Sequence, residues 1–367
     1  MNTKRLIINE IDRLTRVLEK FENRSLTSGF YHLLKDKYED SLITVCKQDK
    51  YANSESSLVF KGYKNVGIVF QGPVMKENNF TLETIKMLRN WYPDITIILS
   101  TWENELTDDN RYELKKLNCF FIESKQMNEE NKGPNEKIGH LNNQILSSKL
   151  GMDYLTECGI EYAMKIRSDL RIYKKDFVPY LLNLLKVYDR ADYQLINVAF
   201  SNSMYNVPFH LSDFIWFGRM EEMREMYSIK YRDDNDLHKI VEFVKSDEFL
   251  KYKKTFADIR TNKFTLDSYW YNAIELPIDF MTLYHEEIYL PYNYWLLKKN
   301  ENYCNFLSEY YEFLTHVIVV DDQDLSVYWS KNLYSVVQHN YSKMLDERLT
   351  HSKWLEIYLN LRNKNEV

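Results

Sequence analysis

The residues best placed by type and spacing to do chemistry lie in YAMKIRSDLRI, residues 162–172. Tyr162, Ala163, Met164 and Ile166 form a short apolar run that reads as a buried strand. It ends in Arg167, Ser168, Asp169, Leu170 and Arg171. A carboxylate flanked by two guanidinium groups is costly to bury unless something uses it. In open α/β sheets, ligands sit at the carboxyl ends of the strands. An anion, alone or with a metal, suits this end; the competing reading is a structural Asp–Arg pair.

Four further stretches carry usable groups. GIVFQGPV ends a strand in Gln71, Gly72 and Pro73, where a tight turn can bring backbone N–H groups to a phosphate or nucleotide. No Gly-Lys-Ser/Thr follows, so it is not a Walker loop, and it is not a GxGxxG turn either. ILSTWE brings Thr101 and Glu103 to the same edge, where a carboxylate can hold a base or a ribose hydroxyl. His210 and Asp213 form a polar kernel in the aromatic stretch VPFHLSDFIWFGR; the alternatives are a sugar contact and a core His–Asp turn. His285, Glu286 and Glu287 pack acids together, but HEEIY lacks the second His of a metalloprotease helix. Asp213 and Glu287 are the two carboxylates late enough in the chain to act as a general base, and Glu287, beside another acid, is preferred.

Metal chemistry at Asp169 depends on what stands two residues on. Mg²⁺ or Mn²⁺ bridging a diphosphate asks for hard oxygen ligands, usually an Asp-x-Asp pair. Here the second position is Arg171, a planar phosphate ligand that needs no metal. One carboxylate with a metal, or arginines alone, both fit the spacing.

Strands alternating with helices must position these groups. Strands are expected at 66–74, 95–103, 118–123, 162–167, 193–200 and 317–322. Helices are expected at 81–91, 136–149, 151–158, 176–187, 234–251 and 267–275, in a Tyr-rich region opening at 285–290, and from about 330 onward. This alternation indicates parallel βαβ units and an α/β fold. Residues 3–22 read as an amphipathic helix with a basic face, suited to docking on the same domain, on a twin subunit or peripherally on a membrane. Residues 28–45 read as a second helix and 47–57 as a linker, giving an extension at 1–57, one domain at 58–330 and a tail at 331–367.

A net charge of −6 gives no footprint for nucleic acid. Only 9 Gly and 7 Pro against 44% hydrophobic residues argue against disorder. Cys46, Cys119, Cys158 and Cys304 match no zinc spacing and read as reduced, mostly buried thiols of a cytoplasmic protein. No stretch reaches the roughly 20 apolar residues of a membrane span.

Taken in order, IVFQGPV, ILSTWE, LNNQILSSKLGMDYL, KIRSDLRI, PFHLSDFIWFG and HEEIYL resemble the WavE lipopolysaccharide synthesis family, over about residues 65–330. The resemblance implies a GT-A-like, Rossmann-type nucleotide-sugar domain with a mainly parallel sheet. It implies a glycosyltransferase with a nucleotide-sugar donor and a lipopolysaccharide or capsular glycan acceptor, and Mg²⁺ or Mn²⁺ as an optional cofactor. Carried onto this chain, it marks Gln71, Gly72, Pro73, Thr101, Trp102, Glu103, Arg167, Asp169, Arg171, His210, Asp213 and Glu287. Asn143 stands where the family often has Arg, and Glu286 where it usually has Pro. Two rivals are a transferase with a CMP-activated or phosphoryl-linked donor and no metal, and a non-catalytic glycan-binding assembly protein. The 29 Tyr and 7 Trp suggest the second.

Overall fold

A computed structural model describes residues 59–127, 140–188, 194–200, 203–205, 207–247, 286–299, 306–330 and 348–365. The two N-terminal helices, the linker, the 267–275 helix, His285, Cys46 and Cys304 lie outside these.

In chain order the first half comprises β1 (Val66–Gln71), α1 (Phe80–Trp91), β2 (Thr96–Trp102), α2 (Asp108–Lys116), β3 (Cys119–Ser124), α3 (Leu141–Glu157), β4 (Tyr162–Arg167), β5 (Leu170–Ile172) and α4 (Phe177–Val187). The second comprises β6 (Leu195–Ala199), β7 (Ile215–Arg219), α5 (Met220–Met226), α6 (Asp234–Lys245), α7 (Glu286–Lys298), α8 (Phe306–Leu314), β8 (Val317–Asp321), β9 (Val327–Trp329) and α9 (His351–Asn365). Seven strands form one sheet in the order β3-β2-β1-β4-β7-β6-β8. Every pairing is parallel except the two that β7 makes, so six strands share one direction. This is the expected mainly parallel α/β architecture.

Burial explains the strands. All six residues of β1 are buried, as a strand covered on both faces must be. Its face bearing Val69 and Gln71 takes α3. There Gly151 sits inside one continuous helix, where two, at 136–149 and 151–158, are expected. A Cβ at Gly151 would lie 2.4 Å from Val69 Cγ1, so the bare glycine lets helix and strand touch.

Five elements, α2, α5, β5, β7 and β9, were not expected. Helix α2 is almost wholly polar, burying only Leu114, but a capping box starts it: Asn110 N donates to Thr107 Oγ1 and Thr107 N to Asn110 Oδ1, each at 3.2 Å. Helix α5 follows β7 directly. Strands β5 and β9 form a separate antiparallel ribbon that brings Trp329 beside Leu170. Cys119 is buried as expected, whereas Cys158 is exposed, because it caps the solvent-facing end of α3. No helix among the described residues is long and apolar enough to cross a membrane.

The carboxyl ends of β1, β2, β4, β6 and β8 open on one edge, where the reversed strand β7 begins. At its β8 end, Arg348 binds the Ala199 carbonyl and the Asp322 carboxylate, and His351 N donates to Asp321 Oδ1 at 3.2 Å, which docks α9. Trp354 Nε1 donates to Leu314 O at 2.9 Å from the same helix.

Candidate functional site

The loops after β1 and β4 are laced into one floor. Gly72 N donates to Ser100 O at 3.1 Å, and Ser168 N to Gln71 O at 2.9 Å. Ser168 Oγ donates to Pro73 O at 2.5 Å, while Thr81 Oγ1 donates to Ser168 O and accepts from Met75 N, both at 2.9 Å. Gly72 has φ 109°, which a side chain would resist. Gln71 is buried and in register with both Ser100 and Arg167.

Above this floor stands a charged and aromatic cluster. Arg167 grips Asp169 with both arms of its fork: Nε to Oδ1 at 3.1 Å and Nη2 to Oδ2 at 2.9 Å. Trp329 Nε1 adds a third donor to Asp169 Oδ2 at 3.0 Å. The guanidinium carbon lies 4.5 Å from the Phe214 ring centre and 5.7 Å from that of Trp329. Those two rings meet edge to face at 4.9 Å. Arg167 Nη1 reaches to 3.9 Å of Asp213 Oδ2, an oxygen with no hydrogen-bond partner among the described residues. Side-chain exposure is 4% for Asp169, 9% for Asp213 and 22% for Arg167, so Arg167 is the open member.

From below, Lys165 sits on the strand face shared with Arg167, nearly inaccessible, and donates to the Asp213 carbonyl. Tyr227, at the end of α5, is fully buried; burial and the nearby Asp213 carboxylate push its phenol well above the ordinary range. Its hydroxyl has no hydrogen-bond partner among the described residues.

The other marked residues are distributed differently. Arg171 turns away on β5 to the start of α1, donating through Nε to Thr84 Oγ1 at 2.8 Å, through Nη2 to Phe80 O at 3.1 Å and through Nη1 to Tyr173 Oη at 3.3 Å. Its guanidinium stacks on Phe80 at 4.4 Å, and the residue is buried, so its place is that of a brace and not of a phosphate ligand. Thr101 is fully buried and points to the opposite sheet face from Ser100 and Gln71. Glu103 is exposed just beyond β2, its N–H on Ser124 O at 3.0 Å.

His210 and Asp213 share the loop that enters β7. His210 is buried, and its backbone bonds Met204 and Val207. Its neighbour Phe209 holds φ 59°, a costly setting for a bulky residue, fixed by rings of Tyr292, Tyr310 and Phe313 at 5.2–5.4 Å. Glu287 joins this loop through its backbone, accepting from Leu211 N at 3.3 Å. The structure thus gathers Gln71 to Pro73, Arg167, Asp169 and Asp213 on one edge, with Glu287 bonded through its backbone to the His210 loop.

Asp169 does not fit a divalent cation. Both its oxygens already accept from Arg167, one also from Trp329, so a metal would compete with a guanidinium for this carboxylate. Among the described residues, no group of three or more His, Cys, Asp or Glu is placed to hold a metal.

Lys165, Tyr227 and Trp329 were missed. Lys165 carried a signal, a lone charge inside an apolar strand. Trp329 carried none, since it lies 160 residues beyond Asp169.

A family model for WavE lipopolysaccharide synthesis matches residues 66–274, more than half of the chain. The chain belongs to the WavE lipopolysaccharide synthesis family. The matched stretch holds the floor, Arg167, Asp169 and Asp213; Glu287 and Trp329 lie beyond it. This WavE chain matches none of the curated proteins. Similar solved structures include a cytidylyltransferase from Leptospira borgpetersenii serovar Hardjo-bovis (strain JB197), at 14% identity over 50% of this chain and 71% of that one, TM-score 0.29. Another is a putative glucose-1-phosphate thymidylyltransferase from Bacillus anthracis in complex with a sucrose, at 11% identity over 45% and 75%, TM-score 0.26. Likenesses this faint say nothing about activity.

Proposed function

We propose that this WavE protein is a GT-A-like glycosyltransferase. It moves a sugar from a nucleotide-activated donor onto a lipopolysaccharide or capsular glycan. The observation that carries this reading is Asp213: a carboxylate nine-tenths buried at the carboxyl edge of a largely parallel sheet, with one oxygen lacking a hydrogen-bond partner among the described residues. A buried charge with unused acceptor capacity is expensive unless a ligand hydroxyl completes it.

Asp213 accepts the proton of the attacking acceptor hydroxyl, an inverting transfer in which a positioned base acts as the new bond forms. Lys165 holds the loop carbonyl that fixes it, and Arg167 stands beside its open oxygen. Asp213 is preferred here to Glu287 because the oxygen without a hydrogen-bond partner among the described residues is on Asp213, while Glu287 meets the same loop through its backbone carbonyl. Gln71 to Pro73 and Glu103 take the nucleotide. Thr101 and Arg171 are enclosed and serve the frame.

The closure of Asp169 by Arg167 and Trp329 also favours a donor handled without a metal, a CMP-activated sugar included. A panel of UDP-, GDP- and CMP-sugars, assayed for binding and slow hydrolysis with and without Mn²⁺, tests both. The reading requires one donor to be bound and hydrolysed, with hydrolysis lost in Asp213→Asn. A chain that binds none of them is not a nucleotide-sugar transferase.

A further inference from the structure

The cluster at the end of β4 has a composition that selects among the parts of such a donor or acceptor. Its formal charges cancel: Lys165 and Arg167 against Asp169 and Asp213, linked by the fork between Arg167 and Asp169, the 3.9 Å approach of Arg167 to Asp213, and the Lys165 bond to the Asp213 carbonyl. A diphosphate placed here adds two or more negative charges beside two buried carboxylates. The arginine that would attract it already spends Nε and Nη2 on Asp169. An uncharged ring adds no charge, and its hydroxyls can complete Asp213 Oδ2, which has no hydrogen-bond partner among the described residues.

The aromatic side supports the same choice. Trp329 is only partly buried, while Phe214, against which its ring rests at 4.9 Å, is almost fully buried. Its indole N–H is fixed on Asp169 Oδ2 at 3.0 Å, so the ring is held in one orientation. A rigid, partly exposed indole beside a carboxylate and a guanidinium edge offers an apolar surface with convergent polar groups, the arrangement small-ligand sites use.

We infer that Trp329, Phe214, Arg167, Asp169 and Asp213 form a subsite for an uncharged sugar ring, with Trp329 as its stacking platform. This rests on the glycosyltransferase reading and deepens it: the ring lies over β4 and the donor's phosphates lie off this cluster. The strand supplying Trp329 stands outside the stretch matched to the family.

The test is saturation-transfer NMR on the full chain with methyl glycosides of glucose, galactose, mannose and N-acetylglucosamine. Inorganic pyrophosphate serves as competitor. At least one glycoside should show transfer. The signal should fall about tenfold in Trp329→Ala and less in Trp329→Phe, which keeps a ring and the fold but loses the N–H. Pyrophosphate should leave the signal unchanged. The inference is overturned if no glycoside binds, if binding survives both variants, or if pyrophosphate displaces the glycoside. Bare UDP, GDP and CMP run alongside separate the two readings. A nucleotide bound equally by wild type and Trp329→Ala, with no glycoside bound, leaves the transferase standing and removes this subsite. Glycoside binding without nucleotide binding does the reverse.

Discussion

Arg167 and Arg171 are four residues apart, flank the same carboxylate and end in different regions of the molecule. Arg167 stays at the open edge of the large sheet, its fork on Asp169 and its faces against Phe214 and Trp329. Arg171 turns under on the small β5–β9 ribbon and spends all three nitrogens on Thr84, Phe80 and Tyr173. The first keeps an edge toward solvent and an incompletely satisfied neighbour in Asp213. The second is enclosed by donors' partners and an aromatic ring. Charge density in a sequence therefore does not mark a site. What separates site from scaffold is capacity left over after the fold has made its own bonds.

The largest effect should come from the neighbour with capacity to spare. Asp213→Asn should cut turnover on the order of 10² to 10⁴-fold while donor affinity stays nearly unchanged. Glu287→Gln should leave turnover close to wild type. If steady-state kinetics show the opposite pattern, the base is Glu287. On the scaffold side, Arg171→Ala removes three hydrogen bonds and opens a cavity, although Phe80 O still accepts from Thr84 Oγ1 at 2.7 Å. Urea unfolding should show a loss of about 3 kcal/mol, with donor affinity of the folded protein intact. A stability change under about 0.5 kcal/mol would mean that Arg171 is not a brace.

Smaller effects sharpen the contrast further. Chelation by EDTA should change donor binding less than about twofold, because the guanidinium fork occupies the carboxylate a metal would need. Calorimetry showing complete loss, with rescue by Mn²⁺, would mean that the fork opens for a metal. Tyr227→Phe should be smallest, within about 0.5 kcal/mol in stability, since a buried hydroxyl without a hydrogen-bond partner among the described residues gives up little when removed. A clear fall in turnover in that variant would show the phenol acting on Asp213.

Much of the fold could be read from the sequence because the main strands are continuous apolar runs: VGIVFQ, TIILSTW and VIVVD stand out without any knowledge of their partners. Helix α2 escaped because DDNRYELKK has one buried residue, and only its TDDN start announced it. Strands β5 and β9 are three residues each and exist only because they pair with each other. The site was legible wherever a strand ended, at Gln71 and Arg167, because strand ends and ligand edges coincide in such sheets. It was illegible where it depends on a turn or a distant contact. Nothing in RSDLR says that the chain folds back after Leu170 and carries Arg171 to α1. Nothing near Asp169 announces Trp329.

If Arg167 serves the ligand and Arg171 the frame, lysine at the two positions should act differently. The direct test is a paired titration of Arg167→Lys and Arg171→Lys with the donor found in the nucleotide-sugar panel, each variant also followed by thermal unfolding. Lysine keeps the charge and removes the fork. Arg167→Lys should weaken donor binding or turnover by about tenfold or more with little change in melting temperature. Arg171→Lys should lower the melting temperature and leave binding unchanged. Equal loss of binding in both variants, or the two patterns exchanged, would contradict this division of roles.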